Sequence, residues 1–341
     1  MPNWLGDLVM ATPVLADLRK AFPEATITAM AQSNVAQLLQ DDPHIDELFS
    51  YVRPQGLKRR EARKELILTL RERKFDTALL LTHSFSSAWW AWRAGIPHRI
   101  GYAGHWRCLL LRPVVPTPQE KNKQHLVLTY KGLLTPLGIP LSDTPTRLYL
   151  NDAELAAARH RLGTCGVLQE HTLIGINPGA AFGSAKCWLP ERFRAVTERL
   201  LTDPTLRVVY FGDQTSASLV EKICEELPDR VINLAGKTSL RELLAMIQLC
   251  TVFLTNDSGP MHIAAALGTP LVALFGSTND TTTGPYGAGP RHVIHKHVSC
   301  SPCYKRVCPI DFRCMKSITV EEVYALLKTE IRACARVSKE K

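Results

Sequence analysis

The sequence predicts an α/β protein of two doubly wound parallel-sheet domains facing a central cleft. Three observations lead there. A chain of 341 residues exceeds what one hydrophobic core usually organises. Apolar runs of strand length alternate with helix-period segments through both halves, the βαβα order of parallel sheets. The polar stretch Pro140-Leu141-Ser142-Asp143-Thr144-Pro145 separates the two series, so domains are expected over 1–141 and 142–341.

In the first half, residues 25–30 read as a strand and 35–39 as a short helix. Residues 61–73 set Ala62, Leu66 and Leu70 at helical spacing among basic residues. Residues 77–81 form a nearly continuous apolar run, as a strand buried on both faces does. Residues 125–137 read as a helix ended by Gly138 and Pro140. The second half alternates more cleanly. Strands are expected at 173–176, 207–211, 231–234, 252–255 and 271–275, with helices at 190–201, 216–227, 239–250 and 259–267. A last helix is expected over 320–335, opened by a Thr319/Glu322 capping box, and is a candidate to pack back on the first domain.

Composition is that of an ordinary globular protein, 45% hydrophobic and 21% charged. The net charge of +9 fits a plain solvated basic face or a partner rich in phosphate or carboxylate. Charged residues appear by Asp7, so no secretory signal is expected there. The apolar run around 77–91 is short and interrupted, whereas a membrane span needs about 20 apolar residues. Ten cysteines without a signal point to reduced thiols or a metal site in a cytoplasmic protein.

The chemistry-bearing residues gather at strand-to-helix turns. Residues 251–254 run into Asn256-Asp257-Ser258-Gly259, and helix composition follows. Asp257 and Ser258 are natural N-caps, Gly259 admits a ligand close to the backbone, and first-turn N–H groups attract anions. His262 falls one turn on, within reach of a phosphate. A capped helix with a buried histidine is the plainer reading of the same string. A second turn, Asn177-Pro178-Gly179-Ala180, leads to Lys186 just before a helix opened by Pro190. It offers backbone donors at Gly179 and a point charge, although Walker A spacing is missing. At a third turn, Phe211-Gly212-Asp213, Asp213 suits a ribose hydroxyl or a simple turn. Phe275-Gly276-Ser277-Thr278 forms a fourth. Several such turns on one sheet edge favour a nucleotide-diphosphate site.

Near the start, Gly6-Asp7 sets a carboxylate at a helix opening, as a cap or as a general base facing the cleft. The basic cluster Arg53, Lys58, Arg59, Arg60, Arg63 and Lys64, with Arg71, Arg73 and Lys74, is either a solvated helix face or a binding face for a polyanionic acceptor. Trp89, Trp90 and Trp92 have apolar neighbours that favour packing over membrane contact.

Five strings then carry a family resemblance: Pro2-Asn3-Trp4-Leu5-Gly6-Asp7, residues 95–102, Pro178-Gly179-Ala180 with Ala185-Lys186, residues 255–262, and Cys314-Met315. Together they resemble the ADP-heptose:lipopolysaccharide heptosyltransferases, on the heptosyltransferase II side, along nearly the whole chain. The resemblance implies a GT-B fold and inverting transfer of heptose from ADP-heptose to a lipid A–Kdo–heptose acceptor. It implies no cofactor or essential metal, no nucleic-acid partner, and a peripheral place at the cytoplasmic face of the inner membrane. By matching motif, Asp7 is the expected general base and Lys186 the donor-phosphate lysine. Asp257, Ser258, Gly259 and His262 resemble the diphosphate turn, and Arg99 falls on the acceptor side. Two departures stand out. The family pattern opens with a short strand ahead of Gly-Asp, which this sequence does not show, and His83 stands where an Asn is expected.

Cys300-x2-Cys303-x4-Cys308-x5-Cys314 could close a tetrahedral zinc site or remain free thiols, since the spacing is not a usual paired CxxC arrangement. Heptosyltransferase I, or another GT-B transferase with a different nucleotide sugar, is the alternative among the enzymes, and two other classes fit less well. A basic nucleic-acid binder lacks a readout or stacking motif, and a dinucleotide oxidoreductase lacks G-x-G-x-x-G after any strand.

Overall fold

The computed structural model describes residues 1–54, 59–104, 106–118 and 123–337, with the side chains of Arg59, Arg336 and Val337 outside that description, as is Lys58. Its contacts divide the chain into two compact units, Met1–Thr144 and Pro145–Lys341. The polar stretch read as the join belongs largely to the first unit. Lys131 Nζ donates to Ser142 O and Thr144 O at 2.9 and 2.8 Å, and the Ser142 and Thr144 hydroxyls donate to Asp17 at 2.7 and 2.6 Å.

The first unit runs α1 (Leu5–Ala21), β1 (Thr28–Gln32), α2 (Ser33–Ala36), β2 (Glu47–Tyr51), α3 (Arg59–Glu72) and β3 (Thr77–Leu80). It continues through α4 (Phe85–Arg93), β4 (His98–Tyr102), β5 (Val114–Val115) and α5 (Leu126–Gly132). The expected strand at 25–30 sits later, because Ile27 N–H is taken by the Asp46 carboxylate before pairing with β2 begins at Thr28. The expected helix at 125–137 stops at Gly132 and resumes as a 3-10 turn, Thr135–Leu137, around Pro136, which has no N–H to continue an α-helix.

The sequence predicts one doubly wound parallel sheet in this half. Among the described residues the strands instead form two parallel sheets, β1-β2 and β3-β4-β5. No described strand joins the β1 edge to the β3 edge. Side chains hold the two together: Leu66 and Leu70 of α3 pack with Ala91, Ala94 and Ile96, touching Met30 and Phe49 on one side and Ala78 and Leu80 on the other.

The second unit runs α6 (Asp152–Thr164), β6 (Thr172–Asn177), α7 (Pro190–Leu200), β7 (Leu206–Tyr210), α8 (Ala217–Cys224) and β8 (Val231–Asn233). Then follow α9 (Leu240–Leu249), β9 (Val252–Asn256), α10 (Gly259–Leu267), β10 (Leu271–Phe275), α11 (Asp280–Thr283), β11 (Arg291–His295), α12 (Arg313–Lys316) and α13 (Val320–Val337). One parallel sheet of six strands has the order β11-β10-β9-β6-β7-β8. Its central strands β9 and β10 are buried at every position, which is why they read as continuous apolar runs. The order reverses between β6 and β9, and the crevice at their carboxyl ends is the topological switch point where such sheets bind ligands.

Helix α13 lies on α7, β9 and β10 of its own unit, with Val323 and Leu327 fully buried in the core. Its capping box is formed: Glu322 N–H donates to Thr319 Oγ1 at 3.2 Å and Thr319 N–H to Glu322 Oε2 at 3.0 Å.

Candidate functional site

The turns after β6 and β9 meet at the switch point through side chains that the sequence places at strand ends. Asn256, fully buried, accepts from Trp188 N–H at 2.9 Å and donates to Pro178 O at 2.7 Å. It thereby locks the Gly179 turn to the Asp257 turn. Asn177 donates to Gly179 O at 2.9 Å and to Ser258 Oγ at 3.3 Å, and Thr255 Oγ1 lies 3.0 Å from the same hydroxyl. Trp188, 2% exposed, anchors the far end through Nε1 to Ile318 O and an edge contact with Phe193. Such aromatic pairs add about 1 kcal/mol beyond burial.

Lys186 and Asp257 are brought together. Lys186 Nζ donates to Asp257 Oδ2 at 2.5 Å, and Thr278 Oγ1 donates to the same oxygen at 2.5 Å. The side chains are 14% and 4% exposed, so this is a nearly buried ion pair. The Phe182 ring lies 5.0 Å from the ammonium. An ammonium carries three donors, so Lys186 can keep Asp257 and still offer donors to a phosphate. Asp257 is accordingly a group that positions the lysine.

The capping expectation for this turn is corrected. Asp257 turns to Lys186 and Thr278, and Ser258 occupies the cap position without its side chain capping, being held by Asn177 and Thr255. The first turn of α10 also offers fewer donors than expected: Pro260 has no N–H, and Met261 N–H donates to Ser258 O at 3.2 Å. Gly259 opens the helix, and His262 is buried within it.

Gly179 and Asp213 converge on Ser216. A Cβ at Gly179 would lie 2.9 Å from Ser216 Cβ, so the turn accepts no side chain. Asp213 Oδ1 accepts from Ser216 N–H, Ser216 Oγ and Thr215 Oγ1 at 2.9, 2.6 and 2.8 Å. Burial raises the pKa of this carboxyl, but the Ser216 and Thr215 donors outweigh it and hold it below its ordinary value. Asp213 thus makes the turn the sequence offered as its plainer role.

In the first unit Asp7 lies in the first turn of α1, half-buried, and the buried Tyr130 on α5 donates its phenol to the carboxylate. Burial, then the Asp7 charge and hydrogen bond, push the Tyr130 pKa well above its ordinary value, so it stays a donor. Tyr130 was not singled out in the sequence; only the α1–α5 packing reveals it.

The basic cluster divides. Arg60 and Lys64 are exposed on α3, whereas the Arg63 guanidinium lies over the Trp89 ring at 5.6 Å. Arg71 donates to Arg93 O, and Arg73 pairs with Glu47 over Phe49. Arg99 is engaged by backbone carbonyls of its own unit. Its Nε donates to Leu110 O at 2.6 Å and its Nη1 to Pro97 O at 2.9 Å and to Ile96 O, which fixes the loop before β5. Burial, with the Arg112 charge behind it, lowers its pKa. His83 stacks on Tyr102 at 5.7 Å. A further arginine escaped the sequence reading: Arg107 is 1% exposed and donates to Thr82 O at 2.7 Å, while its Nε and Nη2 are buried without a hydrogen-bond partner.

Two parallel α/β units, the second with its anion-directed turns at a topological switch point, are the parts of the GT-B architecture. The solved structure of Escherichia coli ADP-heptose lipopolysaccharide heptosyltransferase II superposes with a TM-score of 0.82 at 28% identity, covering 100% of this chain and 98% of that one. The family 9 glycosyltransferase of Veillonella parvula gives 0.86 at 26% identity, covering 98% and 96%. In sequence, lipopolysaccharide heptosyltransferase 2 of Escherichia coli K12 is 33% identical over 294 residues, 83% of each chain. The model of glycosyltransferase family 9 (heptosyltransferase) matches residues 63–312. The chain belongs to glycosyltransferase family 9.

Proposed function

We propose that the chain transfers L-glycero-D-manno-heptose from ADP-heptose to the inner core of lipopolysaccharide, adding the second heptose with inversion. The carrying observation is the Lys186–Asp257 pair at the switch point of a family 9 fold. It fixes an ammonium, with donors left over beyond Asp257, where a nucleotide diphosphate binds in this architecture. The heptosyltransferase 2 relatives support the choice of sugar and position.

In this reading Asp7 takes the proton of the acceptor hydroxyl as that oxygen attacks the anomeric carbon. The bond from that carbon to the diphosphate oxygen breaks, and ADP leaves with the electron pair. Lys186 faces the charge that develops on the departing diphosphate. Gly179, Ser258 and Gly259 let the phosphates approach the backbone, Asp213 holds the turn beside Gly179, and His262 supports the α10 turn from within. The exposed Arg60 and Lys64, with Arg59 and Arg63 in the same helix, attract a phosphorylated lipid A–Kdo–heptose acceptor at the cytoplasmic face of the inner membrane. No helix among the described residues is long and apolar enough to cross a membrane, which is compatible with peripheral binding.

The test is transfer followed by mass spectrometry with ADP-heptose and two acceptors, one lacking heptose and one carrying a single heptose. Heptose added to the second alone is expected. Transfer to the unheptosylated acceptor alone, or from another nucleotide sugar alone, would overturn the assignment.

A further inference from the structure

We infer that Cys300, Cys303, Cys308 and Cys314 form a four-thiolate site for one thiophilic metal ion, zinc or iron, which braces the loop carrying Lys186. The spacing C-x2-C-x4-C-x5-C leaves this open, and the fold brings all four to one place. They line a single cavity of about 90 Å³, together with Ala185, Gly276 and Ser277. All four are free thiols, and Cys108, Cys165, Cys187, Cys224, Cys250 and Cys334 lie outside the cavity.

A second observation points into the same cavity. Ser277 is 1% exposed, and its hydroxyl is buried without a hydrogen-bond partner. An unpartnered buried hydroxyl is costly, and a metal-bound thiolate is an acceptor that would satisfy it. Lys305 and Arg313 stand at the cavity wall. They supply positive charge to a four-thiolate complex whose net charge with a divalent ion is negative.

The loop that supplies the sulphurs is pinned at several points. Tyr304 N–H donates to Ser277 O at 2.7 Å, Ser301 Oγ to Gly276 O at 2.5 Å, and Ala185 N–H to Arg306 O at 3.0 Å. A Cβ at Gly276 would meet Cys314 Sγ at 3.1 Å, so the sheet end lies directly against a ligand sulphur. With a zinc–sulphur distance near 2.3 Å, the sulphurs of a tetrahedral site stand about 3.8 Å apart. Among the described residues the group of possible ligand atoms within 4.8 Å of one another is Asp280, His295 and His297, so the four sulphurs stand wider apart than in a bound site and an ion would have to draw them together. Within that group His295 is already engaged, binding Asp280 through Nδ1 and Ser301 through Nε2 at 2.8 Å each. Because Ala185 precedes Lys186, contraction of the loop stiffens the donor lysine. This role is structural and stands apart from the transfer chemistry.

The experiment is metal analysis of tag-free, full-length protein purified without chelator, followed by replacement with cobalt. About one equivalent of zinc or iron is expected, and the cobalt form should show thiolate-to-cobalt charge-transfer absorption with tetrahedral ligand-field bands. Cys303→Ser and Cys308→Ser should each lower occupancy at least tenfold, while Cys165→Ser leaves it unchanged. Less than a tenth of an equivalent in wild-type protein, with no cobalt band, overturns the proposal whatever the variants do. Full occupancy in folded Cys303→Ser and Cys308→Ser overturns it as well.

Discussion

Replacing Lys186 by methionine separates what the Lys186–Asp257 pair does for the fold from what it does for the donor. The substitution leaves a carboxylate that is 4% exposed and still accepts from Thr278. Removing one partner of a buried pair costs about 3–5 kcal/mol. Thr278 still supports Asp257 and Lys186 is slightly exposed, so the low end, about 3 kcal/mol, is expected here. For a unit of this size that lowers Tm by roughly 6–12 °C. Loss of a donor aimed at developing charge should cut kcat/KM for ADP-heptose by about 10²–10³. The double variant Lys186→Met/Asp257→Asn removes both charges and should regain more than half of the lost Tm, with transfer still depressed. Thermal unfolding and initial-rate assays on the wild-type protein and the two variants decide the matter. If Lys186→Met lowers Tm while kcat/KM stays at the wild-type value, the lysine is a structural group and the donor assignment is wrong.

Asn256→Ala leaves Trp188 N–H and Pro178 O without their buried partner and should cost about 2–4 kcal/mol, read by urea denaturation. Tyr130→Phe removes the phenol that holds Asp7; kcat should fall about tenfold with KM for ADP-heptose unchanged, which a purely structural role would not produce. Gly183 has φ of 150° and faces Arg306 O so closely that a methyl group displaces the cysteine loop, so Gly183→Ala should raise KM for ADP-heptose several-fold. Burial raises the Cys224 pKa to about 11 from 9.0 and the Tyr102 pKa to about 12 from 10.0, and pushes Cys250 upward as well. These groups stay protonated when folded and ionise when unfolded, so their contribution is fully present below pH 9 and is lost as pH rises toward 11–12. Each fully buried group steepens the fall by up to about 1.4 kcal/mol per pH unit. Cys250→Ala should flatten the decline measured by denaturation at a series of pH values.

The second unit was legible because its central strands are buried on both faces and read as unbroken apolar runs, as in Leu271–Phe275. The first unit was less so. Its strand Glu47–Tyr51 has exposed Glu47 and Ser50, and His98–Tyr102 opens on two polar residues, so neither carries a periodic signal. The division of its sheet depends on which strands pair, which local pattern does not encode. At the site, the turns themselves were readable from their small and polar residues, yet the partners were not. That Asp257 would turn to Lys186, 71 residues away in sequence, depends on β6 and β9 lying side by side. That Arg99 would hold backbone carbonyls and Arg63 an indole ring was not legible, because a guanidinium on a sequence line carries no sign of either neighbour. The four loop cysteines were visible as a cluster, and the fold adds that they share one cavity.

The central claim, general-base transfer to an acceptor hydroxyl from a diphosphate-leaving donor, is tested most directly by Asp7→Asn in the intact chain. Transfer of heptose and binding of ADP should be measured on the same preparation. The account predicts that kcat falls about 10²–10⁴-fold while the Kd for ADP stays at the wild-type value, because the base and the donor turns lie on separate units. Undiminished transfer by folded Asp7→Asn would contradict it.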